Sequence, residues 1–232
     1  MTVQPAQSHA PALGSDPGAA AIFDVDNTLI AGSAIEIRFF RYLWRRGLVG
    51  AREAAGSLLH LLGQVPPVSL HPLRERKVYL VGKRSADIEP QARTFVQTEV
   101  CPFLSATALA SLERHRRAGH RLILVTGTPE FLAAPLGEFL KVDLVLAARL
   151  ERSGGLYTGR VLPPLPYGEG KLRLIETLVA REGLDLKNSY AYGDSPGDAD
   201  LLRLVGHPLV VNPIRGMGRI ARREGWPVAK WT

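Results

Sequence analysis

Residues 20–29 read AAIFDVDNTL, a short apolar run that ends in two carboxylates. Ala20–Phe23 has the uninterrupted hydrophobicity of a strand that is buried on both faces. Asp24 and Asp26 lie two residues apart on an extended chain, so their side chains project to the same side. Carboxylates held that close repel one another unless a cation or a proton lies between them. A turn or a helix cap can carry the same D-x-D-x-T pattern. The pattern alone therefore does not identify a functional site, and other residues near it must be considered.

A second polar pair follows the apolar run Leu122–Val125, which also has strand character. Thr126 and Gly127 come directly after it, ahead of a segment with helical spacing. A hydroxyl and a backbone amide in that position can bind phosphate oxygens, and the helix N-terminus adds positive potential. Lys171 opens a later helical segment, although a lone lysine at the head of a helix is more typical of a solvated surface.

Two further acids follow a third apolar run, Ser189–Tyr192. Asp194 and Asp198 lie in a Gly-rich turn, and carboxylates suit a hard cation that takes oxygen ligands. An ordinary Asp-bearing loop would look the same in isolation. However, parallel strands end at one edge of a sheet, which is where open α/β sheets bind ligands. The sequence therefore predicts that the polar groups after all three runs meet at one edge.

The order of the segments predicts the fold class. Beyond residue 101, segments with strand character alternate with amphipathic helical segments, which indicates a mainly parallel sheet covered on both faces. Between residues 33 and 100 the apolar spacing is helical throughout. We therefore expect an α/β, doubly wound, Rossmann-like core at 20–32 and 101–232, with an all-helical cap inserted at 33–100. Residues 1–19, rich in Ala, Pro, Gly and Ser, are expected to form a disordered tail.

Composition narrows the classes of function. A chain with 46% hydrophobic and 22% charged residues is typical of a soluble globular protein. No apolar run approaches the roughly 18 to 20 residues that cross a bilayer, so we expect no membrane span. The start of the chain lacks the features of a secretory leader, and the single cysteine, Cys101, forms no internal disulfide, so a cytoplasmic location is expected.

The net charge of +7 favours anionic partners. Aromatic residues are not interleaved with the basic ones as a nucleic-acid stacking surface requires, so we expect no nucleic acid. A small phosphorylated metabolite is the expected partner, and the expected assembly is a monomer or a homodimer.

The four motifs together resemble those of the haloacid dehalogenase superfamily of phosphatases. These carry D-x-D-x-T, a Ser or Thr, a Lys and G-D-x-x-x-D in the order found here at Asp24, Thr126, Lys171 and Gly193. The resemblance extends over Ala20–Trp231. The helical insertion after the first motif is similar to the small cap of the phosphoserine-phosphatase-like branch. This resemblance implies magnesium-dependent hydrolysis of small phosphomonoesters through a phospho-aspartyl intermediate, with phosphoserine as one candidate substrate.

The resemblance also implies catalytic roles for individual residues. It makes Asp24 the nucleophile and Asp26 the general acid and base. Thr126 and the Gly127 amide would bind the phosphoryl oxygens. Lys171 would bind substrate as well, by neutralising the charge that Asp24 and the phosphate share.

A metal site is implied by the same resemblance. Mg²⁺ would be held by the Asp24 carboxylate, the Asp26 backbone carbonyl and the Asp194 carboxylate. Asp198 would complete the site by orienting metal-bound water or Lys171.

Substrate choice is where the sequence departs from the phosphoserine phosphatases. Those enzymes carry a Glu nine residues beyond the nucleophile that holds the substrate amine. Here Ser33 takes that place, and Glu36 lies three residues further on. Four basic residues of the insertion are candidates for meeting a second anionic group of the substrate, although each also suits a solvated surface: Arg74, Arg76, Lys83 and Arg84.

A regulatory module of receiver type, which accepts a phosphoryl group without turnover, is the alternative function. It too places an acidic cluster and a lysine on a parallel sheet. A long helical insertion has no purpose in such a module, whereas a cap that closes over a cleft suits turnover of a sequestered substrate. The insertion therefore favours an enzyme.

Overall fold

The structure is a computed structural model. It describes residues 18–32, 34–62, 74–214 and 216–231. Residues 1–17 of the predicted disordered tail lie outside the described residues. Gly18 and Ala19 are joined to the core, because their carbonyls accept hydrogen bonds from the amides of Asp185 (2.9 Å) and Arg121 (3.0 Å).

The strands of the described residues form one large sheet and one hairpin. They are β1 Ala20–Phe23, β2 Arg121–Pro129, β3 Leu144–Ala148, β4 Leu150–Ser153, β5 Leu156–Val161, β6 Tyr190–Gly193, β7 His207–Val211 and β8 Val228–Ala229. The large sheet has six strands in the order β3-β2-β1-β6-β7-β8. Every neighbouring pair in it is parallel, whereas β4 and β5 form a separate antiparallel pair.

Helices cover both faces of this sheet. Their bounds are α1 Ile35–Arg45, α2 Ala51–Leu62, α3 Ser85–Phe95, α4 Ala106–Arg117, α5 Glu130–Leu140, α6 Glu169–Glu182, α7 Ala199–Leu204 and α8 Met217–Glu224. Helices α1, α4 and α5 pack on one face and α6, α7 and α8 on the other, and α3 packs against α1 and α5. The predicted doubly wound α/β fold is confirmed.

Strand β1 lies in the middle of the sheet because it is apolar along its whole length and fully buried. Its side chains alternate between the faces, as the two-residue period of a strand requires. Ala20 and Ile22 pack among the helices of one face, and Ala21 and Phe23 among those of the other. Burial on both sides explains why the run carries no polar residue before Asp24.

Within the described part of the insertion, residues 34–62 and 74–100, the regular elements are helices, and two isolated bridges join it to the hairpin, at Arg76 with Arg160 and at Arg84 with Leu156. Aromatic rings join its helices to one another and to the core. The ring of Phe39 in α1 lies 5.3 Å from that of Phe95 and 5.7 Å from that of Phe131 in α5. Such tilted pairs stabilise a packed interface.

No single helix among the described residues is both long and apolar enough to cross a membrane. The segment Ser85–Phe103 and α4 reach the required length and composition only when they are taken together across a bend of 98°.

Candidate active site

The ends of three neighbouring strands bring the sequence motifs to one edge of the sheet. Phe23, the last residue of β1, is aligned with Leu124 of β2 on one side and with Tyr192 of β6 on the other. Asp24 therefore leaves β1 beside the Thr126 and Gly127 segment and beside the loop after Gly193. This is the juxtaposition that the sequence predicts for parallel strands.

Lys171 joins the first and last motifs. It lies in the first turn of α6 with its side chain buried, and its Nζ donates to Asp24 Oδ1 at 2.5 Å and to Asp198 Oδ1 at 2.6 Å. Burial alone would lower the pKa of Lys171, but the charges of Asp198 and Asp24 raise it above its usual value. Lys171 is therefore a buried, charged ammonium between two carboxylates, not the solvated lysine that its position on a helix first suggests.

Asp198 is held by the loop that carries Asp194. Its Oδ2 accepts hydrogen bonds from the Asp194 amide at 3.3 Å, the Ser195 amide at 3.0 Å and the Ser195 hydroxyl at 2.7 Å. The closeness of this loop requires glycine at position 193, since a Cβ there would lie 2.5 Å from that of Asp198. With both oxygens engaged, Asp198 has the fixed geometry of a group that orients its neighbours.

Three buried carboxylates form a candidate metal centre. Ligand oxygens of Asp24, Asp194 and Asp198 all lie within 4.8 Å of one another. Burial raises the pKa of Asp24 well above its usual value, even though Lys171 lowers it. Burial likewise raises the pKa of Asp194 to about 6, while the hydrogen bond that Asn27 Nδ2 donates at 3.0 Å lowers it.

One buried ammonium leaves this group of carboxylates with excess negative charge. A hard divalent cation with oxygen ligands would offset it, so the donor set fits Mg²⁺.

Asp26, also predicted at the metal site, has its side chain engaged elsewhere. Its Oδ1 accepts from the Ile35 amide at 2.7 Å, and its Oδ2 accepts from the Thr128 hydroxyl at 2.9 Å. The prediction that Asp26 binds metal concerns its backbone carbonyl, and the carboxylate remains oriented by these two donors.

Thr128 and Asn27 are residues of the site that the sequence motifs did not single out. Strand spacing does not identify Thr128, because β2 is irregular between Val125 and Pro129 and two adjacent residues, Gly127 and Thr128, both line the cleft. The Thr128 amide also donates to the Thr126 hydroxyl oxygen at 3.1 Å. Gly127 and Thr128 line the cleft, with Thr126 buried directly behind them.

The cleft above these residues has a volume of about 310 Å³ and includes Glu36 and Arg74 from the insertion. The guanidinium carbon of Arg74 lies 3.4 Å from the centre of the Tyr167 ring, a cation–π contact between insertion and core. Among the four basic candidates, Arg74 is the one at this cleft. Lys83 is paired with Glu53 at 2.9 Å, Arg84 is exposed, and Arg76 borders a neighbouring cavity.

Known phosphatases are similar in sequence to this chain. A phosphoserine phosphatase of Mycobacterium tuberculosis is 31% identical over 219 residues, spanning 92% of this chain and 71% of that protein. A histidinol-phosphatase of Neisseria meningitidis serogroup C is 30% identical over 215 residues, spanning 90% of this chain and 96% of that protein.

A solved structure shares the fold. It is that of a protein of unknown function from Bordetella pertussis Tohama I, which superposes with a TM-score of 0.79 at 27% identity, over 92% of this chain and 98% of that one. The profile of the haloacid dehalogenase-like hydrolases matches residues 21–203, well over half of the chain. The protein therefore belongs to the haloacid dehalogenase-like hydrolase family, as the resemblance of its motifs predicts.

Proposed function

We propose that the protein is a magnesium-dependent phosphatase of small phosphomonoesters that acts through a phosphorylated Asp24. The observation that carries the proposal is Lys171, which bridges Asp24 and Asp198 beside the cluster of three carboxylates. The predicted enzyme class, a phosphatase, is confirmed by the family and by the phosphatase relatives. Those relatives are named for different substrates, so their names support the reaction without selecting phosphoserine.

In the first half of the reaction, an Asp24 oxygen attacks phosphorus and the bond from phosphorus to the ester oxygen breaks. Asp26, protonated at the start, gives its proton to the departing alkoxide. The Lys171 ammonium offsets the negative charge that Asp24 and the phosphoryl group share. Bound Mg²⁺, held by Asp24, Asp194 and the Asp26 carbonyl, would supply further positive charge at the same oxygens.

In the second half, the Asp26 carboxylate takes a proton from water as that water attacks phosphorus. The bond from phosphorus to Asp24 then breaks, which releases inorganic phosphate and restores the aspartate. The Gly127 amide and the Thr126 hydroxyl bind phosphoryl oxygens in both halves. The Thr126 oxygen accepts from the Thr128 amide, which leaves its own proton free to donate.

We further propose that the inserted helices, predicted at 33–100, act as a cap over this cleft, since Glu36 and Arg74 reach it from that segment. The substrate is a small phosphorylated metabolite that the cap sequesters from water. The cytoplasmic location and the monomeric or homodimeric state stay predictions.

Hydrolysis of an aryl phosphate in the presence and absence of Mg²⁺ tests the proposed function. We expect turnover with Mg²⁺ and its loss in excess chelator, with recovery when Mg²⁺ is added back. Ca²⁺ should bind but support turnover poorly, because its larger and looser coordination shell relaxes the attack geometry. Full activity of metal-stripped protein in chelator would refute the magnesium requirement.

The effect of Mg²⁺ on stability should depend on pH. Burial raises the pKa of Asp194 to about 6 in the folded, metal-free protein from the usual 3.8 of an aspartate, so the folded state binds more protons between these values. The metal-free protein should therefore gain stability from this group as the pH falls below about 6. Because Mg²⁺ competes with that proton, we expect the Mg²⁺-induced rise in melting temperature to be larger above pH 6 than below it. A rise that does not change with pH would contradict this assignment.

Thr128 is proposed as a positioning residue for Asp26. Thr128→Val removes the hydroxyl that donates to Asp26 Oδ2, and a hydrogen bond to a neutral carboxyl group is worth roughly 2- to 10-fold. We expect kcat/KM, which reports the first half of the reaction, to fall by about that factor on alkyl phosphates and less on an aryl phosphate, whose leaving group needs no proton. Thr128→Ser, which keeps the hydroxyl, should restore the rate. Equal losses in both variants would mean that Thr128 acts through packing alone.

A further inference from the structure

A second cavity adjoins the proposed catalytic cleft inside the insertion. Its volume is about 480 Å³, and most of its wall is apolar. Helices α1 and α2 supply Ile37, Phe40 and Ala54, and the turn Val78–Leu80 supplies Val78 and Tyr79. A volume of this size is typical of a cleft for a small molecule.

The two cavities share part of their walls. Ala34, Glu36 and Arg74 line both of them. A phosphomonoester with its phosphate at Asp24 and Lys171 therefore meets this shared wall with its organic group, and the apolar cavity lies directly beyond. No other cavity that we observe among the described residues combines an apolar wall with residues of the catalytic cleft.

Glu36, the acidic group at the shared wall, is already paired. Glu36 Oε2 accepts from Lys77 Nζ at 2.6 Å, and that lysine is buried. Arg74 lies over the Tyr167 ring. Because the buried Lys77 already neutralises the partly exposed Glu36, an ammonium group of the substrate would have to compete with that lysine for the carboxylate. This arrangement disfavours an amino-acid phosphate such as phosphoserine.

We propose that the substrate is a phosphomonoester whose organic group is an apolar chain or ring, and that this group binds in the cavity between α1, α2 and the turn Val78–Leu80. This inference rests on the proposed function and deepens it by naming the substrate class. Removing apolar surface from water supplies the selectivity, at about three- to fourfold in affinity for each buried methylene. The polar side chains of the lining include Glu36, Ser57, Arg74, Arg76 and Lys77, of which Glu36 and Lys77 already pair with each other. A polar organic group would lose its hydration against the apolar remainder of the wall.

A series of n-alkyl phosphates from ethyl to hexyl, with O-phosphoserine for comparison, tests the proposal on the wild-type protein with Mg²⁺. We expect kcat/KM to rise with each methylene, reaching about 100-fold between ethyl and hexyl phosphate, and to be lower for O-phosphoserine than for hexyl phosphate. The n-alkylphosphonates, which cannot be hydrolysed, should inhibit with the same dependence on length. A flat or falling series, or a preference for O-phosphoserine, would overturn the proposal.

Substitutions at two neighbouring residues of α2 test whether the alkyl chain binds in this cavity. Ala54 lines the cavity, and Ala54→Trp should fill it, whereas Ala55→Trp adds the same ring at an exposed position. We expect the ratio of kcat/KM for hexyl over ethyl phosphate to fall at least about tenfold in Ala54→Trp and to stay unchanged in Ala55→Trp. An unchanged ratio in folded Ala54→Trp would show that the alkyl chain binds elsewhere. If Ala54→Trp does not fold, the phosphonate series on the wild-type protein decides the question.

Failure of the proposal and failure of the proposed function give different results. If alkyl and aryl phosphates are hydrolysed without any gain from chain length, only the assignment of the apolar cavity fails. If no phosphomonoester is hydrolysed, the proposed function fails and the substrate class fails with it.

Discussion

Asp24→Asn should lower turnover of an aryl phosphate by at least about 10⁴-fold, because the amide that replaces the carboxylate is not a nucleophile. The substitution also removes one of the two carboxylates that hold Lys171, so the ammonium loses its partner at the attacking position. The measurement is kcat at saturating Mg²⁺ with substrate in excess.

The matched control is Asp87→Asn, an exposed aspartate of α3 outside the cleft, which should keep full activity. Circular dichroism of Asp24→Asn should match that of the wild type, since the substitution removes a buried negative charge rather than apolar packing. A folded Asp24→Asn protein with a rate within tenfold of the wild type would exclude Asp24 as the nucleophile.

Asp26→Asn should have the second largest effect, and its size should depend on the leaving group. Losing a general acid and base costs roughly 10² to 10⁴ in rate. An alkoxide needs the proton and should suffer the full loss, whereas a nitrophenolate leaves without one. We therefore expect kcat/KM, which reports the first half of the reaction, to fall much further on alkyl than on aryl phosphates. Equal losses on both substrates would contradict the role of Asp26.

Much of the candidate site was predictable because parallel strands end at the same edge of a sheet and bring the residues that follow them together. The acids at Asp24 and Asp194 and the Thr126–Gly127 pair each follow an apolar run, and a parallel sheet aligns the ends of such runs. The glycine at position 193 is likewise explained by its closeness to Asp198. These features are encoded locally and need only the sheet to bring them together.

Long-range pairings were not predictable from local pattern. Lys77 lies 41 residues from Glu36 along the chain, so no local sequence pattern predicts that the two form an ion pair. Strand β8 is only two residues long and pairs with β7 because the folded chain brings it there. Nothing within two residues distinguishes such a strand from a loop.

The shape of the insertion also depends on long-range packing and could not be predicted from local sequence patterns. The sequence predicts its helices from their spacing, but the apolar cavity between α1, α2 and the turn Val78–Leu80 depends on how these segments pack. Arg74 shows the difference most clearly. Four basic residues were equal candidates from the sequence, and only the packing of Arg74 over Tyr167 separates it from the others.

The central claim, a phosphorylated Asp24 that is then hydrolysed, is tested most directly by rapid quenching of the reaction with an aryl phosphate. In Asp26→Asn the aryl leaving group departs without a general acid, but the base that activates water is missing, so phosphorylated protein should accumulate. We expect one phenolate released per protein molecule in a burst, and one phosphoryl group on the peptide that contains Asp24. The wild-type protein should show the same label transiently during repeated turnover, and Asp24→Asn should show none. Repeated turnover without a phosphoryl group on Asp24, or a wild-type phosphoryl-Asp24 that forms once and is not hydrolysed, would contradict this account.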